Sequence, residues 1–394
     1  MDGNAVLYLT NETGVDLLPT NYGQVIVANC SDVSLKDRTV GHPFWLTSWD
    51  SDNLTIDGNS MDPGKTVKWS LLHTDDISIE NNSMSDVDLY MYTYEPAGPL
   101  DIVNNSMDGG SIHLKSMTDV SVHNNSIVGY GRTALTVMGS CEAGNTTIMD
   151  NNITMVDPIA GQVALHIWGE VSEYSLRNNA LRGAGISTAW TTRDLGNDNY
   201  DLDTSNTVNG RPILYVKREA NRTLTSDWGQ VLVISSENIT VVDMDLVEGD
   251  GGVTMYYTDN VLVTDCTFVD QPNGAVSLHG CDNISIERNL FRGGNSIVNL
   301  SDCNYHHTPN PPLGNITDNY FMDLVPDAFN PGALASVRSP LETIERNLFA
   351  NITGVGIWAY QCPETHISSN EFSKCTMTAV LSSSKWSYWY DNSF

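Results

Sequence analysis

The side chains of this sequence that have useful chemistry are aromatic, acidic and histidine residues, and they recur along the chain instead of meeting in one motif. Trp45, Trp49, Trp69, Tyr90, Tyr92, Tyr94, Trp168, Trp190, Tyr256, Tyr257, Trp358 and Tyr360 each fall just before a phrase that the chain repeats. Aromatic faces flanked by acids and amides suit sugar rings, which offer apolar C–H faces and polar rims. Trp49, Trp69, Tyr92, Tyr94, Trp168, Trp190, Tyr257 and Trp358 are therefore the candidate ligand-binding residues. If their strands stack, the outward members form an aromatic stripe.

Acids make the second signal, at Asp75 and Asp76, at Asp198, Asp201 and Asp203, and at Asp243, Asp245, Glu248, Asp250 and Asp259. A hard cation such as Ca²⁺ wants several converging oxygens, which makes Asp243, Asp245 and Asp250 the candidate metal ligands and Ca²⁺ the one cofactor left open. None of these runs follows an EF-hand loop or a GGxGxD repeat, so solvated acidic turns are the simpler reading. His306 and His307 offer a base or a transition-metal ligand, but no ligand spacing accompanies them. Asp75, His306 and Arg338 are the candidate catalytic residues for a polysaccharide lyase or glycoside hydrolase. The ordered motifs of polygalacturonases and pectate lyases are absent, and paired carboxylates at a set separation are not legible. The expected function is accordingly non-catalytic, a structural or adhesive role with glycan binding along the aromatic stripe. The alternative is a carbohydrate-cleaving site beside the Pro-rich stretches 302–312 and 325–337.

The elements that must position these residues come from one repeated phrase. Ile77-Ser78-Ile79-Glu80-Asn81-Asn82-Ser83-Met84 returns as Leu100 to Met107, Val120 to Ile127, Tyr174 to Leu181, Ile284 to Phe291 and Ile344 to Phe349. Taking the second Asn of each copy as the marker gives 59, 82, 105, 125, 152, 179 and 206, then 289, 319, 347, 370 and 392. A period of about 20 to 30 residues, with alternating apolar β-branched residues and no helical periodicity, predicts a solenoid of short strands. The predicted fold class is all-β, a right-handed parallel β-helix of about fifteen coils, roughly 70 Å long at about 4.8 Å per coil. Stacked Asn side chains bond along the axis and tolerate left-handed turns. The apolar residue that follows, Met61, Met84, Met107, Ile127, Phe291, Phe321 or Phe372, then points into the core.

A longer repeat overlies the short one. Gly3 to Tyr8 answers Gly210 to Tyr215, and Tyr22 to Val27 answers Trp228 to Val233. The expectation is a single β-helix over 1–394 with an internal duplication, about 3–205 and 210–394, forming part of a longer protein.

With 394 residues, 48 Asp plus Glu against 19 Lys plus Arg and a formal charge of −29, nucleic acid and anionic membranes are poor partners. No apolar run is long enough for a membrane span. Seven Cys do not make a disulfide framework. Cys281 and Cys303 stand at equivalent positions of neighbouring coils, as a disulfide or as packed free thiols. Sequons such as Asn81, Asn104 and Asn124 come with the repeated phrase itself.

The stretch Asn206-Thr207-Val208-Asn209-Gly210-Arg211-Pro212-Ile213-Leu214-Tyr215, followed by Gly229 to Val241, resembles the NosD-type right-handed β-helix repeats of archaeal surface and secreted proteins. That resemblance implies an extracellular, cell-surface location and polysaccharide or cell-envelope partners. NosD itself is associated with periplasmic copper handling, and the wider group includes carbohydrate-binding and carbohydrate-cleaving members. The repeat has no catalytic motif, so it carries no catalytic residue onto this chain.

Overall fold

Alternation of apolar and polar residues at period two makes a strand whose one face is buried, and a pair of short polar residues every coil forces the chain to bend. In the computed structural model these two rules build a parallel β-helix. The structure describes residues 5–18, 22–61, 67–139, 145–158, 162–168, 173–189, 200–225, 227–247, 251–303, 314–326, 331–384 and 387–394. All regular elements among them are strands, and all pairings between named strands are parallel. The chain divides into two compact units, Met1–Pro158 with Val163–Thr207, and Ile159–Gln162 with Val208–Phe394.

In the first unit each full coil contributes to three sheets. The first sheet runs through Tyr22–Ala28, residues 44–49, 67–72, 87–92 and 110–115, Leu135–Gly139, Leu165–Trp168 and Ile186–Ala189. The second runs through Ser31–Lys36, 52–57, 75–80, Leu100–Val103, Val120–His123, Asn145–Met149 and Glu173–Arg177. The third takes the residues after the Asn corner, including Ser126–Tyr130 and Asn152–Val156. In the coils of Phe44–Asp57 and Val67–Glu80 the first and second strands run on through their corner.

The second unit repeats the plan. Its first sheet includes Arg211–Lys217, Val253–Tyr256, Val276–His279 and Val355–Tyr360, beside an eight-stranded second sheet and a six-stranded third.

Two residues share the work at the Asn corner. The first takes the left-handed conformation, as Asn81, Asn104, Asn124, Asp150 and Asn178 do with φ of 55, 58, 57, 57 and 55°. The second is buried and bonds along the axis. The Nδ2 of Asn82 donates to Oδ1 of Asn105 (2.9 Å) and to the Ile56 carbonyl of the preceding coil (2.9 Å), while its backbone N–H also donates to Asn105 Oδ1 (3.0 Å). The same pattern runs Asn59, Asn82, Asn105, Asn125, Asn151, Asn179, Asn206, and again Asn289, Asn319, Asn347, Asn370, Asn392. Asn151, not the predicted Asn152, is the ladder residue of its coil. Asp150 fills the left-handed position there, so both members of the pair shift one residue towards the N-terminus.

The residue two beyond each ladder Asn up to Asn370 turns inward, as expected. Met61, Met84, Met107 and Ile127 are buried in the first unit. In the second unit Phe268, Phe291, Phe321, Phe349 and Phe372 stack ring on ring, with centroids 4.7–5.2 Å apart and planes within 13°. The ring spacing is the rung spacing of the sheet.

The second unit has another internal ladder, of which the sequence reveals only the Cys281 and Cys303 step. At the corner between its first and second sheets stand Ser236, Thr258, Cys281, Cys303, Ser339, Cys362 and Ser384. Each hydroxyl or thiol donates to the carbonyl two residues before it. Cys281 and Cys303 are therefore free, buried thiols. Burial pushes the Cys281 thiol well above its ordinary range.

Candidate functional site

The aromatic residues that the sequence singles out do lie on first-sheet strands, but register sorts them to opposite faces. Trp45 pairs with Lys68 and Leu46 with Trp69, so the coil step there is 23 residues while the two tryptophans are 24 apart. A one-residue offset reverses the face. Trp69 is thus part of the core, fully buried between Leu46 and Leu89, and is not a surface ligand residue.

Trp49 and Trp168 do face outward, with 46% and 40% of their surface exposed, as do Trp45 and Tyr90. Trp49, Leu72, Tyr92 and Lys115 succeed one another in one outward column, with Met138 and Trp168 continuing it. The neighbouring column holds Tyr90, His113, Thr136 and His166. The Tyr90 and His113 rings stack at 4.8 Å and 9°, and the Trp49 indole N–H donates to Asp50 Oδ2 at 2.7 Å. The result is a rigid sheet face with aromatic planes held at rung intervals.

A polar network anchors the middle of that face. Arg132 grips both oxygens of Asp88 at 2.9 and 3.1 Å, and Ser111 Oγ donates to Asp88 Oδ1 at 3.0 Å. His113 Nε2 lies 3.0 Å from Ser111 Oγ. With the single Ser111 proton directed to Asp88, the His113 contact is an Nε2–H donating to the hydroxyl. Ser111 is fully buried. This geometry orients His113 and Tyr90 but activates no nucleophile, since the imidazole has no lone pair towards Ser111. Burial lowers the pKa of both His113 and His166, leaving them neutral at pH 7.

In the second unit, Trp358 faces outward near Tyr360, with ring centroids 6.4 Å apart. Tyr257 is not on the sheet face. It takes the left-handed conformation (φ 49°) at the corner, over Gly280, where burial and then Asp302 raise its pKa.

The catalytic and metal candidates are dispersed. Asp75 pairs in register with Asp52 on the second sheet, and partial burial, then Asp52 and Asp76, raise its pKa. Arg338 is clamped onto Asp302, Nη2 to Oδ2 at 2.8 Å, and its guanidinium holds the Asp302 carboxyl below the ordinary carboxylate range. Of the stretch 325–337, residues Gly332–Val337 are a strand of the first sheet, paired with Val298–Ser301, and not a loop. Asp243 is an exposed left-handed corner residue and Asp245 is exposed on the adjoining strand. His306, Asp250 and Trp190, and the side chain of Tyr94, lie outside the described residues. Among the described residues no three His, Cys, Asp or Glu side chains are grouped to hold a metal ion.

Residues 204–394 match the family model described as periplasmic copper-binding protein (NosD). No curated protein matches the chain. The described residues do not fit a copper centre. The thiols of Cys281, Cys303 and Cys362 are buried and engaged with backbone carbonyls, and burial raises the pKa of Cys281 and Cys362, whereas metal ligands must be deprotonated and converge.

Proposed function

We propose that this chain, whose residues 204–394 are a NosD-type segment and whose two units are parallel β-helices, is a non-catalytic scaffold at the cell surface or in the periplasm that holds glycan along its first sheet. The carrying observation is the outward placement of Trp45, Trp49, Tyr90 and Trp168 on one face of one sheet. Parallel rungs about 4.8 Å apart put Trp49 and Tyr92 about 10 Å apart along the axis, a span comparable with two sugar residues of an extended chain. The Trp49 bond to Asp50 and the stack of Tyr90 on His113, itself bonded to Ser111, hold those two rings before any ligand arrives, so less ordering entropy opposes binding. The family description supports a site outside the cytoplasm, and no helix of the described residues is long and apolar enough to cross a membrane.

The test is affinity electrophoresis of the full chain in gels containing soluble polysaccharides, with reducing ends assayed alongside. Retardation by at least one polysaccharide without release of reducing ends is expected. The double change Trp49→Ala and Trp168→Ala is expected to weaken it more than tenfold, as loss of aromatic anchors does. Retardation unchanged in that variant would defeat the reading, and turnover would defeat the non-catalytic part of it.

A further inference from the structure

The first-sheet face of the first unit differs in charge from the rest of a chain that carries 48 Asp plus Glu and 19 Lys plus Arg. The second sheet of the same unit sends out Asp16, Asp52, Asp57, Asp75, Glu80 and Asp101. Across the first sheet, the outward positions of the described rungs from Tyr22–Ala28 to Leu165–Trp168 hold one carboxylate, Asp88. Arg132 already neutralises it through both oxygens.

Two ammonium groups stand in this acid-poor field. Lys68 Nζ lies 5.2 Å from the centre of the Tyr90 ring and Lys115 Nζ 4.7 Å from that of Tyr92. Both lysines are exposed, and neither has a carboxylate within ion-pair distance among the described residues. Cation–π contact holds each ammonium over an aromatic plane without discharging it. Lys68 is two rungs from Lys115, about 10 Å along the axis, and on the same face as Trp49.

We infer that the ligand of this face is an acidic polysaccharide, its pyranose rings packing on the exposed Trp49 and its carboxylates meeting Lys68 and Lys115, which Tyr90 and Tyr92 hold in place. The inference rests on the glycan reading above and narrows it to one charge class. A chain of net charge −29 repels polyanions in general, so a local cationic face gives selectivity for register as well as for sign. The neutral His113 and His166 and the Asp88–Arg132 pair keep the sheet's own outward positions free of net negative charge, and Asp50, bonded to Trp49, lies at the corner beside them.

The experiment compares the full chain with its Lys68→Gln/Lys115→Gln variant and with Trp49→Ala, in gels containing polygalacturonate, hydroxyethylcellulose or double-stranded DNA. Polygalacturonate is expected to retard the wild type most, about tenfold more weakly after the lysine changes and progressively less as NaCl rises. Retardation by hydroxyethylcellulose equal to that by polygalacturonate, sensitive to Trp49→Ala and indifferent to the lysines, overturns the acidic class and leaves the glycan reading standing. Retardation by neither polysaccharide overturns both. Equal retardation by DNA, with the same lysine dependence, overturns recognition of the sugar.

Discussion

The Asn105 side chain bonds five groups at once, one of them the Val103 carbonyl of its own coil, and its removal measures what the ladder is worth. Its Oδ1 accepts from the backbone N–H and Nδ2 of Asn82, and its Nδ2 donates to Asn125 Oδ1 and to the Ile79 carbonyl. Asn105→Ala orphans buried groups in both neighbouring coils, so a loss of about 2–4 kcal/mol is expected from urea denaturation. Asn104→Ala, one residue away, removes an exposed 3.3 Å contact to Asn81 and a side chain that tolerates left-handed φ, and is expected to cost about 1 kcal/mol. Equal losses at the two sites would contradict the division of labour between them. His279 gives the pH dependence. Burial holds its pKa down to about 4, and its ring stacks on Tyr256 at 4.9 Å. The unfolded chain takes up this proton near pH 6.5 and the folded chain does not, so stability is lost as pH falls from about 6.5 to 4, up to about 3 kcal/mol. Thermal melts at pH 7.5 and 4.5 should show a smaller drop for His279→Gln than for the wild type, and equal drops would place the acid sensitivity elsewhere.

At the scale of the element, a coil owes its stability to identical neighbours above and below. Phe321 lies 4.8 Å from Phe291 and 4.7 Å from Phe349, fully buried, so its truncation leaves a gap between rings that the backbone ladders hold apart. Phe321→Ala is expected to cost about 3–5 kcal/mol and Phe321→Leu less than about 1.5 kcal/mol, read from urea midpoints. An alanine cost below about 1 kcal/mol would mean that the coil closes over the gap. Outside the core the left-handed corners carry ion pairs between successive coils: Asp265 with Arg288, Asp302 with Arg338, and Asp318 with Arg346. These exposed pairs add little stability each. They do account for three of the twelve Arg of the chain. The phrase made the strand, the Asn corner and the inward apolar residue legible because each is a local pattern of period two or a fixed offset. Of the hydroxyl–thiol corner only the Cys281 and Cys303 step is legible, because Ser, Thr and Cys share a donor but no letter, so self-similarity of sequence does not show the rest.

At the scale of the whole molecule the dominant fact is charge. Acidic columns such as Asp52 over Asp75 place like charges on adjacent rungs, which costs free energy at low ionic strength. Raising NaCl from about 10 mM to about 0.5 M is expected to raise the melting temperature by several degrees through screening. A melting temperature that falls or stays level with salt would show that the ion pairs at the corners outweigh that repulsion. The sequence by itself determined the parallel β-helix, because a phrase that buries one apolar face per coil is satisfied only by stacking on its own copy. It also determined the ladder and the inward Met and Phe columns, whose facing follows from a fixed distance to the Asn corner. Only the tertiary structure decided which aromatics meet solvent. Coil lengths vary, and with side chains alternating at every residue a single-residue change in spacing puts Trp69 in the core while Trp49 faces solvent and Lys68 and Lys115 come to stand over Tyr90 and Tyr92.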